Sequence, residues 1–126
     1  VIDSQDAIIG NPLYDVASLI DDVRIKLPKN LQDNLLKYYI LKSKFKTKEE
    51  PNLINDFDIL SVQRNLKILG IFVRLCKRDQ KPYYLKYLPY SWSIIEKRMK
   101  NPIFNKLSIL FEKYLPLKKL KKLQKI

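Results

Sequence analysis

Residues 1–19 have the sequence VIDSQDAIIGNPLYDVASL, and this stretch decides the fold. A short apolar strand ends at a carboxylate, Asp3. Gly10, Asn11 and Pro12 then form a turn signal. From Leu13 the apolar residues repeat at spacings of three and four, which predicts a helix over about residues 13–23. The stretch therefore predicts a strand end, a polar loop and a helix in succession.

The rest of the chain carries helical patterns separated by prolines and charged loops. Apolar spacing and breaker residues predict helices over residues 29–42, 54–78, 83–87, 89–100, 102–114 and 117–125. The helix over residues 54–78 is apolar on most sides, which is typical of a helix at the centre of a bundle. Two glycines in 126 residues argue against a turn-rich all-β fold. We expect a mainly α fold with a short N-terminal strand and turn, made of residues 1–114 and a basic amphipathic helix over residues 115–126.

The opening stretch resembles the metal-binding region of the aminoglycoside phosphotransferase and choline kinase group of small-molecule kinases. Its usual form there is roughly I-D-F-x-D-A, a Gly-x-Pro turn and Y-D-L-A-S-L. Residues 63–75, 81–85 and 88–92 resemble the C-terminal helices of bacterial anomeric sugar kinases, which act on N-acetylmuramate or N-acetylglucosamine in cell-wall recycling. The resemblance implies the helical C-lobe of a protein-kinase-like fold, with the enzyme's front end missing from this sequence.

The resemblance implies roles for four residues near the N-terminus. Asp3 corresponds to the Asp that binds Mg²⁺ in these kinases, although Ser4 stands where the family usually has Phe. Gln5 and Asp6 either contact phosphate or metal and order the loop, or belong to a solvated turn. Asp15 corresponds to a structural Asp that ties the first helix to the catalytic loop.

Three polar residues interrupt the apolar helix over residues 54–78. Arg64, Asn65 and Lys67 could line an acceptor pocket, where a cation meets a sugar carboxylate or phosphate. The alternative is a solvated or salt-bridged helix edge, with Arg64 paired to an acidic loop residue. Both interpretations stay open on the sequence alone.

The 126 residues lack several parts of a phosphotransfer site. They contain no His and no Gly-rich or P-loop motif, and the family's catalytic base precedes the metal-binding Asp. We therefore expect the chain alone to be inactive, with no catalytic residue of its own and no tightly bound cofactor. In the complete enzyme, the resemblance implies ATP, Mg²⁺ and a sugar substrate. A separately encoded N-terminal half is a possible partner.

The formal net charge of +12 raises the alternative of a basic helical binding or scaffold module. The chain has 20 Lys and 5 Arg, a ratio that is typical of proteins encoded by AT-rich genomes. Proteins that bind nucleic acids favour Arg instead. We expect neither a nucleic-acid nor a membrane partner. With no apolar run of membrane-spanning length and no signal peptide, a cytoplasmic location is the default expectation.

Overall fold

The computed structural model describes residues 9–43 and 50–115, and the regular structure in those two ranges is entirely helical. This confirms the mainly α prediction, whereas the predicted strand at residues 1–3 lies outside the described residues. The α-helices are α1 (Leu13–Ile20), α2 (Lys29–Lys42), α3 (Glu50–Asp79), α4 (Leu88–Arg98) and α5 (Asn105–Tyr114). Two 3₁₀ helices, Pro82–Tyr87 and Pro102–Phe104, lead into α4 and α5.

Helix α3 is the central element, as its apolar pattern predicts. It has 30 residues and is about 45 Å long at the usual helical rise. Helices α1 and α4 and the first 3₁₀ helix all pack on it. Three apolar clusters follow its length, centred on Phe57, on Phe72 and on Val62 with Ile95. The elements around α3 are therefore held mainly through this one helix.

Helix α1 ends three residues earlier than its apolar spacing predicts. The side chain of Asp21 is 1% exposed and bonds to residues of other elements, which takes the backbone out of the helix. The carboxylate of Asp22 then accepts the backbone N–H of Arg24 at 2.8 Å, which forms a local turn. Val23 is still buried, but it packs beside Phe72 instead of continuing α1.

Helix α2 has the predicted bounds, but its buried face is rotated relative to the apolar stripe that the spacing predicts, which consists of Leu31, Leu35, Tyr38 and Tyr39. Leu35 and Tyr39 pack against the core as predicted, together with Leu36 and Ile40. Leu31 and Tyr38 are 41% and 62% exposed. The rotation brings Gln32, which is 5% exposed, to the inner face, where it donates to the carbonyl of Ile20 at 3.1 Å. A polar anchor thus sets the orientation of this helix.

Two details of α3 differ from what its sequence predicts. The position of Asn55 before Asp56 and Asp58 predicts an N-cap there, but the helix begins at Glu50 and Asn55 lies inside it. A glycine in the middle of this apolar helix predicts the close approach of another backbone, but a Cβ placed on Gly70 meets no atom within 4 Å. Helix α3 ends after Asp79, and Gln80 has a left-handed φ of 52°. The basic segment over residues 115–126 lies outside the described residues from 116 onward.

Candidate functional site

The residues that the resemblance assigns to metal and phosphate lie outside the described residues. Asp3, Gln5 and Asp6 all precede residue 9, so their roles stay predictions. Within residues 9–43 and 50–115, no three His, Cys, Asp or Glu side chains come close enough together to hold a metal ion.

The turn before α1 is built as the sequence predicts. The side-chain oxygen of Asn11 accepts the backbone N–H of Leu13 at 3.0 Å, and its carbonyl accepts the N–H of Tyr14 at 3.0 Å. These bonds satisfy two donors at the helix start. The Asn11 amide also reaches the carboxylate of Asp56 on α3, at 3.4 Å. The start of α1 is thus fixed against the central helix.

Asp15 lies in the first turn of α1, and its side chain is exposed. A carboxylate at this place faces the positive end of the helix dipole. The sequence suggested a buried Asp tied to a catalytic loop, but this carboxylate has no hydrogen bond or ion pair within the described ranges. Its structural role is therefore still a prediction about the complete enzyme.

Lys67 and Arg64 lie one turn apart on α3, near α1. The Lys67 ammonium donates to the hydroxyl of Tyr14 at 3.0 Å and lies 5.6 Å from the centre of its ring. Nη1 of Arg64 is buried and has no hydrogen-bond partner among the described residues. The charge of Arg64 helps to lower the pKa of Asp22, although the hydrogen bond from Arg24 is the largest cause. The ion pair of Asp22 among the described residues is with Arg24, at 2.8 Å, so the salt-bridge interpretation of Arg64 stays open.

Asn65 is buried where α3 packs on α4. It is 0% exposed. Its amide nitrogen donates to the carbonyl of Ser61 at 2.9 Å, and its amide oxygen accepts the hydroxyl of Ser91 at 3.1 Å. These bonds join α3 to α4. The arrangement gives Asn65 a packing role, and leaves Arg64 and Lys67 as the members of the trio that a ligand can reach.

A buried polar network was missed by the sequence analysis. Arg98 on α4 donates twice to Asp21, from Nε and Nη2, each at 2.9 Å, and Ser61 donates to the same carboxylate. The side chains of Asp21 and Arg98 are 1% and 9% exposed. Burial opposes the charge on Arg98, but its bonds to Asp21 outweigh this and raise its pKa.

Asp58 also belongs to this network, but its burial disfavours the ionised form of its carboxylate. Its carboxylate lies 3.7 Å from Nη1 of Arg98 and accepts the amide of Asn101 at 2.9 Å. Burial nevertheless raises the pKa of Asp58, more than Asn101 and Arg98 lower it. No signal in the sequence distinguishes these residues, because Asp21 and Asp58 lie among other acidic residues and Arg98 among other cations.

Comparison with known proteins identifies the region that these helices belong to. No family model matches the chain. An N-acetylmuramate/N-acetylglucosamine kinase of Pseudomonas aeruginosa is 37% identical over 100 residues, which cover 76% of this chain and 30% of the relative. A protein of the same name from Caulobacter vibrioides is 27% identical over 116 residues, or 92% of this chain and 31% of the relative. A third, from Neisseria meningitidis, is 34% identical over 93 residues.

The chain is related to the C-terminal region of these kinases. This confirms the resemblance that the opening stretch and the α3 segment predict. The chain spans about 30% of the length of the curated relatives it matches. None of the helices in the described part of this kinase region combines the length and the apolar character that crossing a bilayer requires.

Proposed function

We propose that this chain forms the helical C-terminal part of an ATP-dependent sugar phosphotransferase whose acceptor is an amino sugar of the N-acetylmuramate type. The observation that carries the proposal is the relationship to four curated kinases of one name, which extends over 71–92% of this chain. The all-helical architecture around α3 supports it, because the resemblance implies a helical C-lobe.

Asp3 is the residue that we propose to hold Mg²⁺. Phosphoryl transfer from ATP uses Mg²⁺ to bridge the phosphates and neutralise developing charge, and a carboxylate that follows a strand is a suitable oxygen ligand. Gln5 and Asp6 would act beside it in the same loop. The anchored turn at Asn11 supports this assignment, since it fixes the start of α1 directly after that loop.

Arg64 and Lys67 are the described residues that we propose to face the acceptor sugar. Both are cations on one side of α3, and Nη1 of Arg64 is buried without a hydrogen-bond partner among the described residues. The side chain of Lys67 is exposed beside Tyr14, and its ammonium would donate a charge-assisted bond to a carboxylate or phosphate of the bound sugar. Asn65 would hold α3 against α4 behind them, and Asp15 would contact the catalytic loop.

The 126 residues alone are proposed to be inactive. They contain no His and two Gly, so the catalytic base and the nucleotide cradle would come from the part of the enzyme that corresponds to the rest of the relatives' length. That part, on the same chain or separately encoded, is the proposed partner. A cytoplasmic location, where ATP is supplied, and a place in cell-wall recycling belong to the same proposal.

A chimera tests the proposal. In it, this chain replaces the matching C-terminal region of the Pseudomonas aeruginosa kinase. ATP-dependent phosphorylation of N-acetylmuramate and N-acetylglucosamine is then measured for the chimera and for the 126-residue chain. We expect product from the chimera and none from the chain. A folded chimera that binds ATP but phosphorylates neither sugar would contradict the proposed function and favour the binding-module alternative.

A further inference from the structure

A small basic cavity lies between the start of α2 and the outer face of α4, and the kinase interpretation does not use it. Its volume is about 190 Å³. Ligand pockets for larger molecules are usually about 300–1,000 Å³, so this cavity suits a small group. The side chains that matter for its chemistry are Lys26, Lys29, Lys97, Gln32, Tyr90 and Ser93.

Two of the three lysines are held in place around the cavity. The ammonium of Lys97 donates to the side-chain oxygen of Gln32 at 2.9 Å. Gln32 is itself buried and fixed by its bond to the carbonyl of Ile20. The ammonium of Lys26 lies 5.4 Å from the centre of the Tyr90 ring. The bond to Gln32 holds the charge of Lys97 at the cavity, and Lys26 and Lys29 are exposed at its rim.

The positive charge of the cavity is not neutralised locally. Among the described residues, no ion pair joins Lys26, Lys29 or Lys97 to a carboxylate. Burial lowers the pKa of Lys97, and the charge of Arg98 lowers it further, while Asp21 and Asp33 act in the opposite direction. Asp21 is already bonded to Arg98. An anion in the cavity would supply the charge that these groups lack.

The start of α2 adds to the same potential. The helix begins at Lys29, directly after Pro28, with no side-chain cap and no acidic residue in its first turn. The free N–H groups and the helix dipole at such an end favour negative charge. This contribution is secondary to that of the three lysines.

We propose that this cavity binds the phosphate group of a small molecule. A Lys ammonium binds phosphate as a compact point charge through charge-assisted hydrogen bonds. Leu27, Ile94 and the Tyr90 ring form the apolar part of the wall, and the Ser93 hydroxyl donates to the carbonyl of Tyr90 at 2.7 Å. The lysine ammonium groups are therefore the donors that an anion would meet in this cavity. The phosphate source is either inorganic phosphate or a phosphorylated metabolite, and both present the same group to the lysines.

Calorimetry on the 126-residue chain at low ionic strength tests the proposal with inorganic phosphate, glucose 1-phosphate and glucose. We expect at least one phosphate compound to bind and glucose not to bind. Comparable binding of the two phosphates identifies free phosphate as sufficient, while much tighter binding of glucose 1-phosphate identifies an organic phosphate. Binding is measured without turnover, so the result is independent of the phosphotransferase proposal.

Three variants locate the binding site. Lys29→Gln and Lys97→Gln should each weaken phosphate binding about tenfold, because each removes one charge-assisted bond. Lys77→Gln, on an exposed Lys in the last turn of α3, is the matched control and should bind like the parent chain. Lys29 is exposed, so its variant keeps the test valid even if Lys97→Gln unfolds, which circular dichroism would show. No binding at millimolar phosphate, or equal losses in Lys29→Gln and the control, would overturn the proposal.

Discussion

Arg98 shows how strongly a single buried residue organises the chain. Its guanidinium joins Asp21, which follows α1, to Asp58 on α3, while Arg98 itself lies at the end of α4. Two charges taken out of water are tolerated only when each is paired and hydrogen-bonded. The position where α1 meets α3 and α4 therefore depends on this one side chain.

Replacing Arg98 by Met should strongly destabilise the fold. Asp21 would be left as an uncompensated buried charge, which costs about 3–5 kcal/mol. The free energy of unfolding in urea measures the effect. Arg78→Met is the control, because Arg78 pairs with Asp79 at an exposed site and should change little. The double variant Asp21→Leu with Arg98→Met should recover part of the loss. A small loss in Arg98→Met would contradict the importance of the pair.

Asp58 should make stability depend on pH in the direction opposite to most carboxylates. Burial, the main cause, raises the folded pKa of Asp58 above the ordinary value for Asp, so the folded state holds its proton more tightly than the unfolded state. The contribution of Asp58 to stability is fully present below the unfolded pKa, about 3.9 for Asp, and is lost as pH rises through the folded pKa.

Asp58→Asn should therefore reduce the fall in stability with rising pH in that window, and should leave the chain at least as stable at pH 7. Urea unfolding from pH 3 to pH 7 checks this. Asp33→Asn, on the exterior of α2, is a suitable control with no comparable effect. A large loss of stability at pH 7 in Asp58→Asn would show that the pairing with Arg98 outweighs burial.

Several residue roles were beyond sequence analysis for a physical reason. Asn65 was grouped with Arg64 and Lys67 because all three are polar on an apolar helix, but only the packing of α4 decides which of them is covered. The same holds for Gln32, whose burial rotates α2. The spacing of residues along the sequence predicts which side of a helix a polar residue occupies. The residue that contacts it there belongs to another element, so the local sequence does not predict it.

At the level of elements, the spacing of apolar residues and the positions of prolines and charged loops predicted most of the helices well. Helix α2 has its predicted bounds, α4 begins one residue before Pro89, and α5 continues from the 3₁₀ helix that begins at Pro102. The errors occur where tertiary bonds override the local pattern, as at the end of α1. The start of α3 was missed because Pro51 was taken as part of a loop, although Pro is well tolerated in the first turn of a helix.

Gly70→Ala should stabilise the chain by about 1 kcal/mol, because Ala has the higher helix propensity and no atom blocks the added Cβ. The midpoint of urea unfolding should rise at an unchanged slope. Gln63→Gly, at an exposed position of the same helix, is the opposite control and should cost a similar amount. Destabilisation by Gly70→Ala would mean that another backbone does approach α3 at this point.

At the scale of the whole molecule, the sequence predicted the family relationship better than it predicted which residues come together in the folded chain. Residues 1–19, 63–75, 81–85 and 88–92 were enough to predict the kinase group from their resemblance to its sequence pattern. The buried Arg98 network and the lysine cavity have no such local signature, because they form only when α1, α2, α3 and α4 pack together.

The central claim is that Asp3 is the metal-binding residue of a sugar phosphotransferase, and the most direct measurement is kcat of the chimera carrying Asp3→Asn. The account predicts a fall of at least about a hundredfold with the protein still folded, since loss of a Mg²⁺ ligand removes charge stabilisation in the transition state. The matched variant Asp79→Asn, at an exposed salt bridge, should keep the parent kcat. An Asp3→Asn chimera that is as active as the parent would contradict the claim.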